Sequence, residues 1–240
     1  MIVVNDVLGY KNRKIYQDDN YFKFSIDGVL LANFVKYKLT TKKVLDIGTG
    51  TGIIPLILTM KSDVVVDAIE IQKELVELFR KTIEINHLDK SINLIHDDIK
   101  NYSIKSENLN KYDIVISNPP YFSKEQNKTI KDNAKHENFL SLEELIIASK
   151  KILKDRGFIY LIYNTARLDE IFNLLELNNF SISTLRFIHD TVDKPSKLVL
   201  IEASKNGNTI VKVLQPFVLY EKNGIMTVEY SNICQGLGEE

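Results

Sequence analysis

The sequence predicts an α/β fold in which helices cover both faces of a mostly parallel β-sheet. Short apolar runs alternate with helical patterns from residue 28 to about residue 203. Those runs are apolar throughout, which is typical of strands that are buried on both faces of a sheet. Apolar residues make up 44% of the 240-residue chain and charged residues 26%, an ordinary balance for a globular domain.

Helices and strands alternate through the first half of this pattern. A stripe of apolar residues on one helical face predicts each helix, and a short run rich in β-branched residues predicts each strand. The run KKVLDI ends at a glycine-rich turn, and GIIPLILTM carries Pro55 in its first turn, where proline is tolerated. We predict helices at residues 28–37, 52–60 and 71–87 and strands at residues 42–47, 64–70 and 92–98.

The second half continues the alternation but ends differently. Ser141 followed by Glu144 has the pattern of a capping box, and Asn164 or Thr165 can cap the next helix. The last two strands are separated only by a loop, so one of them should run antiparallel. Turn signals NGN and KNG in the tail, residues 205–240, predict a small β-hairpin. We predict strands at residues 112–117, 157–164, 180–189 and 196–204 and helices at residues 140–154 and 165–179.

Composition excludes several classes of protein. Cys234 is the only cysteine, so no disulfide can form within the chain, and we expect a reducing, cytoplasmic compartment. The four histidines lie far apart without cysteine partners at zinc-site spacing, so we expect no metal. Neither an apolar run of ~18 residues nor a secretory signal is present, so we expect no membrane association. The net charge of −1 does not by itself indicate a nucleic-acid partner, although lysines cluster locally.

A glycine-rich turn in VLDIGTGTG, residues 44–52, is the first motif that carries chemistry. A buried strand leads into Gly48, Gly50 and Gly52 and then into a helix. Glycines at such a turn let the backbone approach a ligand closely and present N–H groups at the helix start. The spacing differs from that of a dinucleotide fingerprint, because Ile53 occupies the sixth position. Asp46, at the strand tip, suits a ligand that carries an ammonium group and repels phosphate.

Two further carboxylates are predicted at neighbouring strand tips. Glu70 lies twenty residues after Gly50, where an acid can accept hydrogen bonds from ribose hydroxyls. Asp98 can accept from an adenine amino group while Ile99 covers the ring. A molecule with a cationic end, a ribose and an adenine but no phosphate is S-adenosylmethionine. The predicted cofactor-binding residues in these segments are Asp46, Gly48, Thr49, Gly50, Gly52, Glu70, Ile71, Asp98 and Ile99.

The stretch ISNPPYF, residues 116–122, follows the strand at 112–117 and should lie at the same edge. Pro119 and Pro120 stiffen the loop, and their carbonyls remain free to accept hydrogen bonds. The Asn118 side chain adds an amide oxygen, so two rigidly held acceptors can take both hydrogens of an amino group. Tyr121 can lie flat against a planar ring. We predict these four residues as the catalytic group and Asn118 also as a cofactor contact.

The glycine turn, Glu70, Asp98 and NPPY together resemble class I S-adenosylmethionine-dependent amino-group methyltransferases. That resemblance implies a Rossmann-like, mostly parallel seven-stranded sheet and a substrate nitrogen conjugated to a ring or carbonyl: adenine N6, cytosine N4, guanine N2 or a glutamine amide. The segments YQDDNYFKFSIDGVLLANF and RFIHDTVDKPSKLVLIEASKNG resemble the bacterial tRNA (adenine-N6) methyltransferases, which modify adenine-37, next to the anticodon of a valine tRNA. By this resemblance Asp27 and Gly28 border the methionine end of the cofactor.

The resemblance extends over most of the chain and implies one methyltransferase domain, residues 1–240, and we expect a monomer. Its parts are an N-terminal cap and substrate segment at 1–41, a core at 42–204 and a C-terminal appendage at 205–240. Relatives carry an arginine-histidine-glutamate triplet after NPPY, whereas this chain has Lys135-His136-Glu137, which keeps the charge without the guanidinium fork. Lysines predicted to contact the anticodon region of tRNA are Lys124, Lys128, Lys131, Lys135, Lys194 and Lys197.

Alternatives remain at this point. A ribosomal RNA guanine-N2 methyltransferase is the nearest alternative. A protein glutamine-amide methyltransferase is a second one, although such enzymes carry an N-terminal helical domain and only about 40 residues precede the glycine turn here. DNA adenine methyltransferases usually carry a separate target-recognition region, for which no stretch is large enough. A non-catalytic binding module on the same scaffold is disfavoured by the intact glycine turn and NPPY.

Overall fold

The computed structural model describes residues 1–10, 13–19, 21, 25–119 and 140–237. The described residues form a two-stranded sheet near the N-terminus and a nine-stranded central sheet. The two strands of the first sheet are β1 (Ile2–Asp6) and β2 (Lys14–Asp18). The strands of the central sheet are β3 (Lys43–Ile47), β4 (Val65–Glu70), β5 (Ile92–His96), β6 (Tyr112–Ser117), β7 (Leu153–Asn164), β8 (Phe180–His189), β9 (Leu198–Lys205), β10 (Lys212–Val213) and β11 (Phe217–Val218).

Helices cover both faces of the central sheet, as predicted. One face packs against the helices at residues 26–34, 53–61, 73–85 and 228–234, and the other face packs against the helices at residues 99–102, 142–152 and 168–177. The capping box is confirmed at the start of the fifth helix, where Ser141 Oγ accepts from Glu144 N at 3.2 Å. The helices are α1 (Ile26–Phe34), α2 (Ile53–Lys61), α3 (Lys73–Ile85), α4 (Ile99–Tyr102), α5 (Leu142–Ile152), α6 (Leu168–Leu177) and α7 (Val228–Cys234).

The order of strands across the sheet is β10-β8-β9-β7-β6-β3-β4-β5, and β11 also pairs with β8. The strands from β3 to β7 pair in parallel. Strand β9 is antiparallel to both β7 and β8, which confirms that one of the last two predicted strands reverses. After β5 the chain returns to place β6 beside β3, so the order of strands reverses between these two. Ligands of open α/β sheets bind at such a switch point, outside the carboxyl ends of the strands.

The predicted C-terminal β-hairpin is corrected by the structure. Strands β10 and β11 pair with β8 in parallel and extend the sheet, and α7 follows them. Of the hairpin there remains one antiparallel bridge, between Tyr220 and Met226, which closes the turn that contains KNG. Local turn signals locate a reversal of the chain, but the edge of β8 offered these short segments a ladder of unpaired backbone groups.

The N-terminal sheet packs on α3 through side chains of that helix. Asn86 Oδ1 accepts from Lys14 N at 2.9 Å, and Asn86 Nδ2 donates to Lys14 O at 2.6 Å. Thr82 Oγ1 accepts from Tyr16 N at 3.0 Å. Thr82 and Asn86 thus provide hydrogen-bond partners for the backbone of β2 on the side where no neighbouring strand pairs with it.

In the part of the chain that the structure describes, no helix is long and apolar enough to cross a membrane.

Candidate active site

The glycine turn adopts a conformation that needs its glycines. Gly48, Gly50 and Gly52 have φ angles of 70°, 58° and 92°, in the left-handed region that favours glycine. A Cβ atom on Gly48 or Gly50 would meet nothing within 4 Å, so both residues border open space at the carboxyl edge of the sheet. A Cβ atom on Gly52 would lie 2.0 Å from the ring of Phe79, so Gly52 lets α2 pack closely against α3. The first two glycines leave room for a ligand beside the backbone.

Asp46 is a buried acid at the end of strand β3. The residue is 1% exposed, and among the described residues neither carboxylate oxygen is hydrogen bonded. The hydroxyl of Thr49 is buried in the same condition. Burial raises the pKa of Asp46 from its usual 3.8 to about 7; the neighbouring Thr49 hydroxyl partly offsets this rise, and the negative charge of Glu70 adds to it. A buried carboxylate of this kind is ready for a cationic partner, because the unpaired charge is costly without one.

Glu70 fixes the shape of the turn from the tip of β4. One carboxylate oxygen accepts from Gly50 N at 3.0 Å, and the other accepts from the N–H groups of Ile71 and Gln72 at 3.0 Å each. A carboxylate offers about four acceptor positions, so roughly one remains for a ribose hydroxyl. Of the two ribose hydroxyls expected to bind Glu70, one therefore has a free acceptor position, and the other must compete with a backbone N–H donor.

The acids after β5 differ in what binds them. Asp97 accepts from Asp98 N at 2.8 Å and from Lys105 Nζ at 2.7 Å, so both of its oxygens are engaged. Asp98 caps α4 by accepting from Lys100 N at 2.8 Å, and its second oxygen lies 3.6 Å from Lys100 Nζ. The Asp98 side chain is 21% exposed, so it remains accessible at the sheet edge. Ile99 is buried in the core beneath it.

The residues after β6 lie beside the start of α1. Asn118 is half-buried and Pro119 is buried. A Cβ atom on Gly28 would lie 2.9 Å from Ile53 Cγ2 and 3.9 Å from Asn118 Nδ2. Asp27 is half-buried in the first turn of α1. The SIDG segment, the glycine turn and the first half of NPPY therefore meet at one place. Pro120 and Tyr121 lie outside the described residues.

Ser117, which no motif in the sequence marks, joins two parts of this edge. Ser117 Oγ donates to Ile47 O at 2.9 Å, and Ser117 is 2% exposed. Ser117 directly precedes Asn118, and Ile47 directly precedes Gly48. The sequence contains one signal for this contact, which is the serine at the end of an otherwise apolar strand.

Two of the predicted RNA-binding lysines lie at the same edge of the sheet, in the loop between β8 and β9. This loop joins the end of β7, because Thr165 N donates to Lys197 O at 3.0 Å. Lys194 and Lys197 are exposed, and Lys197 Nζ donates to Asp190 Oδ2 at 2.9 Å. The other four lysines lie outside the described residues, at positions 124, 128, 131 and 135. Within the described ranges, no group of three or more histidine, cysteine, aspartate or glutamate residues could hold a metal ion.

Comparisons with known proteins agree with this geometry. Residues 25–177 match the family described as the methyltransferase small domain. A tRNA1(Val) (adenine(37)-N6)-methyltransferase of Parabacteroides distasonis is 30% identical over 204 residues, 84% of this chain and 85% of the relative. A protein of the same name from Christiangramia forsetii is 30% identical over 235 residues, 96% and 97% of the two chains. The crystal structure of a predicted O-methyltransferase, Atu636 from Agrobacterium tumefaciens, shares the fold with a TM-score of 0.71 at 18% identity, over 89% of this chain and 98% of that one.

The strand order, the glycine turn at the switch point and the carboxylates at successive strand tips define a class I methyltransferase. The matched region, residues 25–177, contains the glycine turn, these carboxylates and strands β3 to β7. The chain belongs to the methyltransferase small domain family and, within it, to the family of the tRNA1(Val) (adenine(37)-N6)-methyltransferases.

Proposed function

We propose that the protein uses S-adenosylmethionine to methylate N6 of adenine-37 in a valine tRNA. The observation that carries the proposal is the position of Asn118 and Pro119 beside a cofactor edge. The relatives that share this chain at 30% identity over most of its length are named for that reaction. A tRNA substrate implies a cytoplasmic enzyme, and we propose that it acts as a monomer built from residues 1–240 as one domain.

The residues at the strand tips fit the proposed cofactor. Asp46 offers the methionine ammonium a buried carboxylate that has no hydrogen bond within the described ranges, and in this proposal Asp27 and Gly28 border that end. Gly48 and Gly50 leave space for the cofactor next to the backbone. The remaining acceptor position of Glu70 suits a ribose hydroxyl. Further residues proposed to border the cofactor are Thr49, Gly52, Ile71, Asp98, Ile99 and Asn118.

The chemistry asked of the protein is positioning. When bound, S-adenosylmethionine supplies a methyl group whose bond to sulfur breaks as a bond to N6 forms, with release of S-adenosylhomocysteine and a proton. In this proposal Asn118 Oδ1 and the Pro119 carbonyl accept the two N6 hydrogens, which favours a tetrahedral nitrogen whose lone pair is available. Such fixed acceptors act through orientation and electrostatics, and no strong base is needed first. Pro120 as part of the rigid frame and Tyr121 as a stacking surface for the base stay predictions.

An asparagine variant tests the assignment of roles. Asn118→Ala should bind S-adenosylmethionine within about threefold of the wild type and lose about a hundredfold or more in kcat, as expected when a fixed transition-state contact is removed. Asn164→Ala is the matched control, because Asn164 ends the neighbouring strand β7 and its side chain only accepts from Ala166 N at 2.8 Å. Near wild-type turnover by Asn118→Ala would remove Asn118 from the mechanism.

The class of substrate is tested by comparing separate acceptors. The protein is incubated with labelled S-adenosylmethionine and, separately, with total tRNA, with ribosomal RNA and with ribosomal and release-factor proteins, all from a strain that lacks the enzyme. The proposal expects label in tRNA alone, as N6-methyladenosine. Label in ribosomal RNA as N2-methylguanosine, or in a protein glutamine, would establish one of the two alternative substrates instead.

A further inference from the structure

The ladder of backbone hydrogen bonds between β3 and β6 ends one residue earlier than the ladders on either side of it. Strand β3 pairs with β4 as far as Ile47 and Ile69. Strand β6 pairs with β7 as far as Ser117 and Leu161. Between β3 and β6 the last paired residues are Asp46 and Ile116. The two central strands therefore separate at the point where the cofactor edge and the NPPY loop begin.

A single side chain spans this opening. Ser117 Oγ donates to the Ile47 carbonyl at 2.9 Å, in a place where the next backbone hydrogen bond of the ladder would otherwise be. The serine is 2% exposed, so water does not compete for the contact. On the far side, Ile47 is held to β4 through the pairing with Ile69, and Gly48 N donates to Ile69 O at 2.9 Å. Strand β3 is thus held by β4 and strand β6 by β7, and the hydrogen bond of Ser117 sets the distance between the ends of β3 and β6.

We infer that Ser117 is a positioning residue for methyl transfer, which acts by fixing Asn118 relative to the glycine turn. The inference rests on the proposed function of that site. Ser117 and Asn118 are adjacent in the sequence, and so are Ile47 and Gly48. A shift of one strand tip relative to the other therefore changes the distance between the acceptors of the target amino group and the cofactor. Misplacement by about 1 Å can cost about a hundredfold in rate.

Loss of the hydroxyl should affect turnover far more than cofactor affinity. Most of the groups proposed to hold the cofactor lie at the ends of β3, β4 and β5, whose backbone pairing does not involve Ser117. We expect Ser117→Ala to bind S-adenosylmethionine with a Kd within threefold of the wild type. Its kcat for tRNA should fall tenfold or more, because Asn118 is no longer held at a fixed distance from Gly48. If Ser117 only stabilised the fold, its replacement would lower the melting temperature without reducing kcat selectively while Kd stays unchanged.

The control variant is Ser149→Ala. Ser149 is also fully buried, and its Oγ also donates to a backbone carbonyl, Leu145 O at 2.7 Å, but it lies in α5 on a helix rather than at a strand tip. Kd is measured by calorimetry, which also gives the fraction of binding-competent protein, and kcat is measured with saturating tRNA well below the melting temperature. Should Ser117→Ala bind no cofactor, Ser117→Cys, which has a slightly larger side chain of the same shape and a weaker donor, is held to the same criterion.

The outcomes are distinct. Ser117→Ala with intact Kd and a kcat at least tenfold below that of both the wild type and Ser149→Ala supports the inference. A kcat within threefold of the wild type, or equal proportional losses in affinity and in kcat, overturns it. If the wild-type protein transfers no methyl group to tRNA, the proposed function is wrong. If the wild type is active and Ser117→Ala is equally active, only the inference about Ser117 fails.

Discussion

Replacement of Asp46 by asparagine should make the cofactor-free protein more stable and the cofactor weaker in binding. Asp46 is buried without a hydrogen-bond partner among the described residues, and burial raises its pKa from 3.8 to about 7. Asparagine has nearly the same shape but carries no charge. The change therefore removes the cost of an unpaired buried carboxylate and, at the same time, the charge proposed to bind the methionine ammonium.

The magnitude and the pH range follow from the pKa. Below pH 3.8 the carboxyl is protonated in both the folded and the unfolded state. As the pH rises through about 7 the folded protein loses stability relative to the unfolded chain, because the unfolded chain ionises first. A rise of about three units at ~1.4 kcal/mol each sets an upper limit of roughly 4 kcal/mol above pH 7. Burial of the uncharged asparagine amide also costs free energy, so we expect Asp46→Asn to raise the free energy of unfolding by roughly 2–4 kcal/mol at pH 8 and by little at pH 4.

The affinity for the cofactor should increase with pH, whereas the stability of the cofactor-free protein should decrease. Binding of an ammonium group requires the ionised carboxylate, and a group with a pKa of about 7 is half ionised at pH 7 and about one-tenth ionised at pH 6. The wild-type Kd for S-adenosylmethionine should therefore weaken about fivefold from pH 7 to pH 6, and the Kd of Asp46→Asn should be weaker and nearly constant.

Denaturant unfolding at pH 4 and pH 8 and calorimetry at pH 6 and pH 7 measure these quantities, with Asp89→Asn, an exposed acid after α3, as the control. A wild-type Kd that is equal at pH 6 and pH 7, or an Asp46→Asn protein that binds as tightly as the wild type, would refute this account of Asp46.

Two further variants test other parts of the site. Glu70→Gln replaces one of two carboxylate oxygens, which together accept three backbone N–H groups, so the Gly50 turn should shift and cofactor affinity should fall about tenfold to a hundredfold. Calorimetry measures the affinity, and the exposed control Glu77→Gln should match the wild type. Equal affinities of Glu70→Gln and the wild type would contradict the role of Glu70. Lys197→Ala should reduce the slope of log K for tRNA binding against log salt concentration by roughly 0.7–0.9. The control Lys43→Ala, at the opposite edge of the sheet, should leave that slope unchanged. If Lys197→Ala and the wild type have equal slopes in a filter-binding titration, Lys197 does not contact a phosphate.

Local patterns in the sequence were sufficient for most of the central sheet. The strand at residues 112–117 has the predicted bounds, and the Ser141 capping box marks the start of α5. Uniformly apolar runs that end in glycine, acid or proline place the strand tips, and parallel strands bring their tips to one edge. Asp46, Glu70, Asp98 and Asn118 were therefore assigned to the same edge without any structural information, and the structure places them there.

Features that depend on pairing between distant segments were not predictable in the same way. The tail residues 212–213 and 217–218 add parallel strands to β8, whereas the turn signals around them had predicted a hairpin. Strand β2 is satisfied by Thr82 and Asn86 of α3, a partner that no alternation pattern in β2 reveals. Ser117 matters only because the β3–β6 ladder stops one residue short of it, and the register of two parallel strands cannot be read from either strand alone.

The most direct test of the central claim is to map the methyl group on a defined tRNA. A valine tRNA transcript with adenine-37 and a second transcript with guanine at that position are incubated with the protein and labelled S-adenosylmethionine, then digested and analysed by mass spectrometry. We predict N6-methyladenosine at position 37 of the first transcript, no incorporation in the second, and loss of incorporation with Asn118→Ala. Methylation at any other nucleotide, or equal incorporation into both transcripts, would contradict the account.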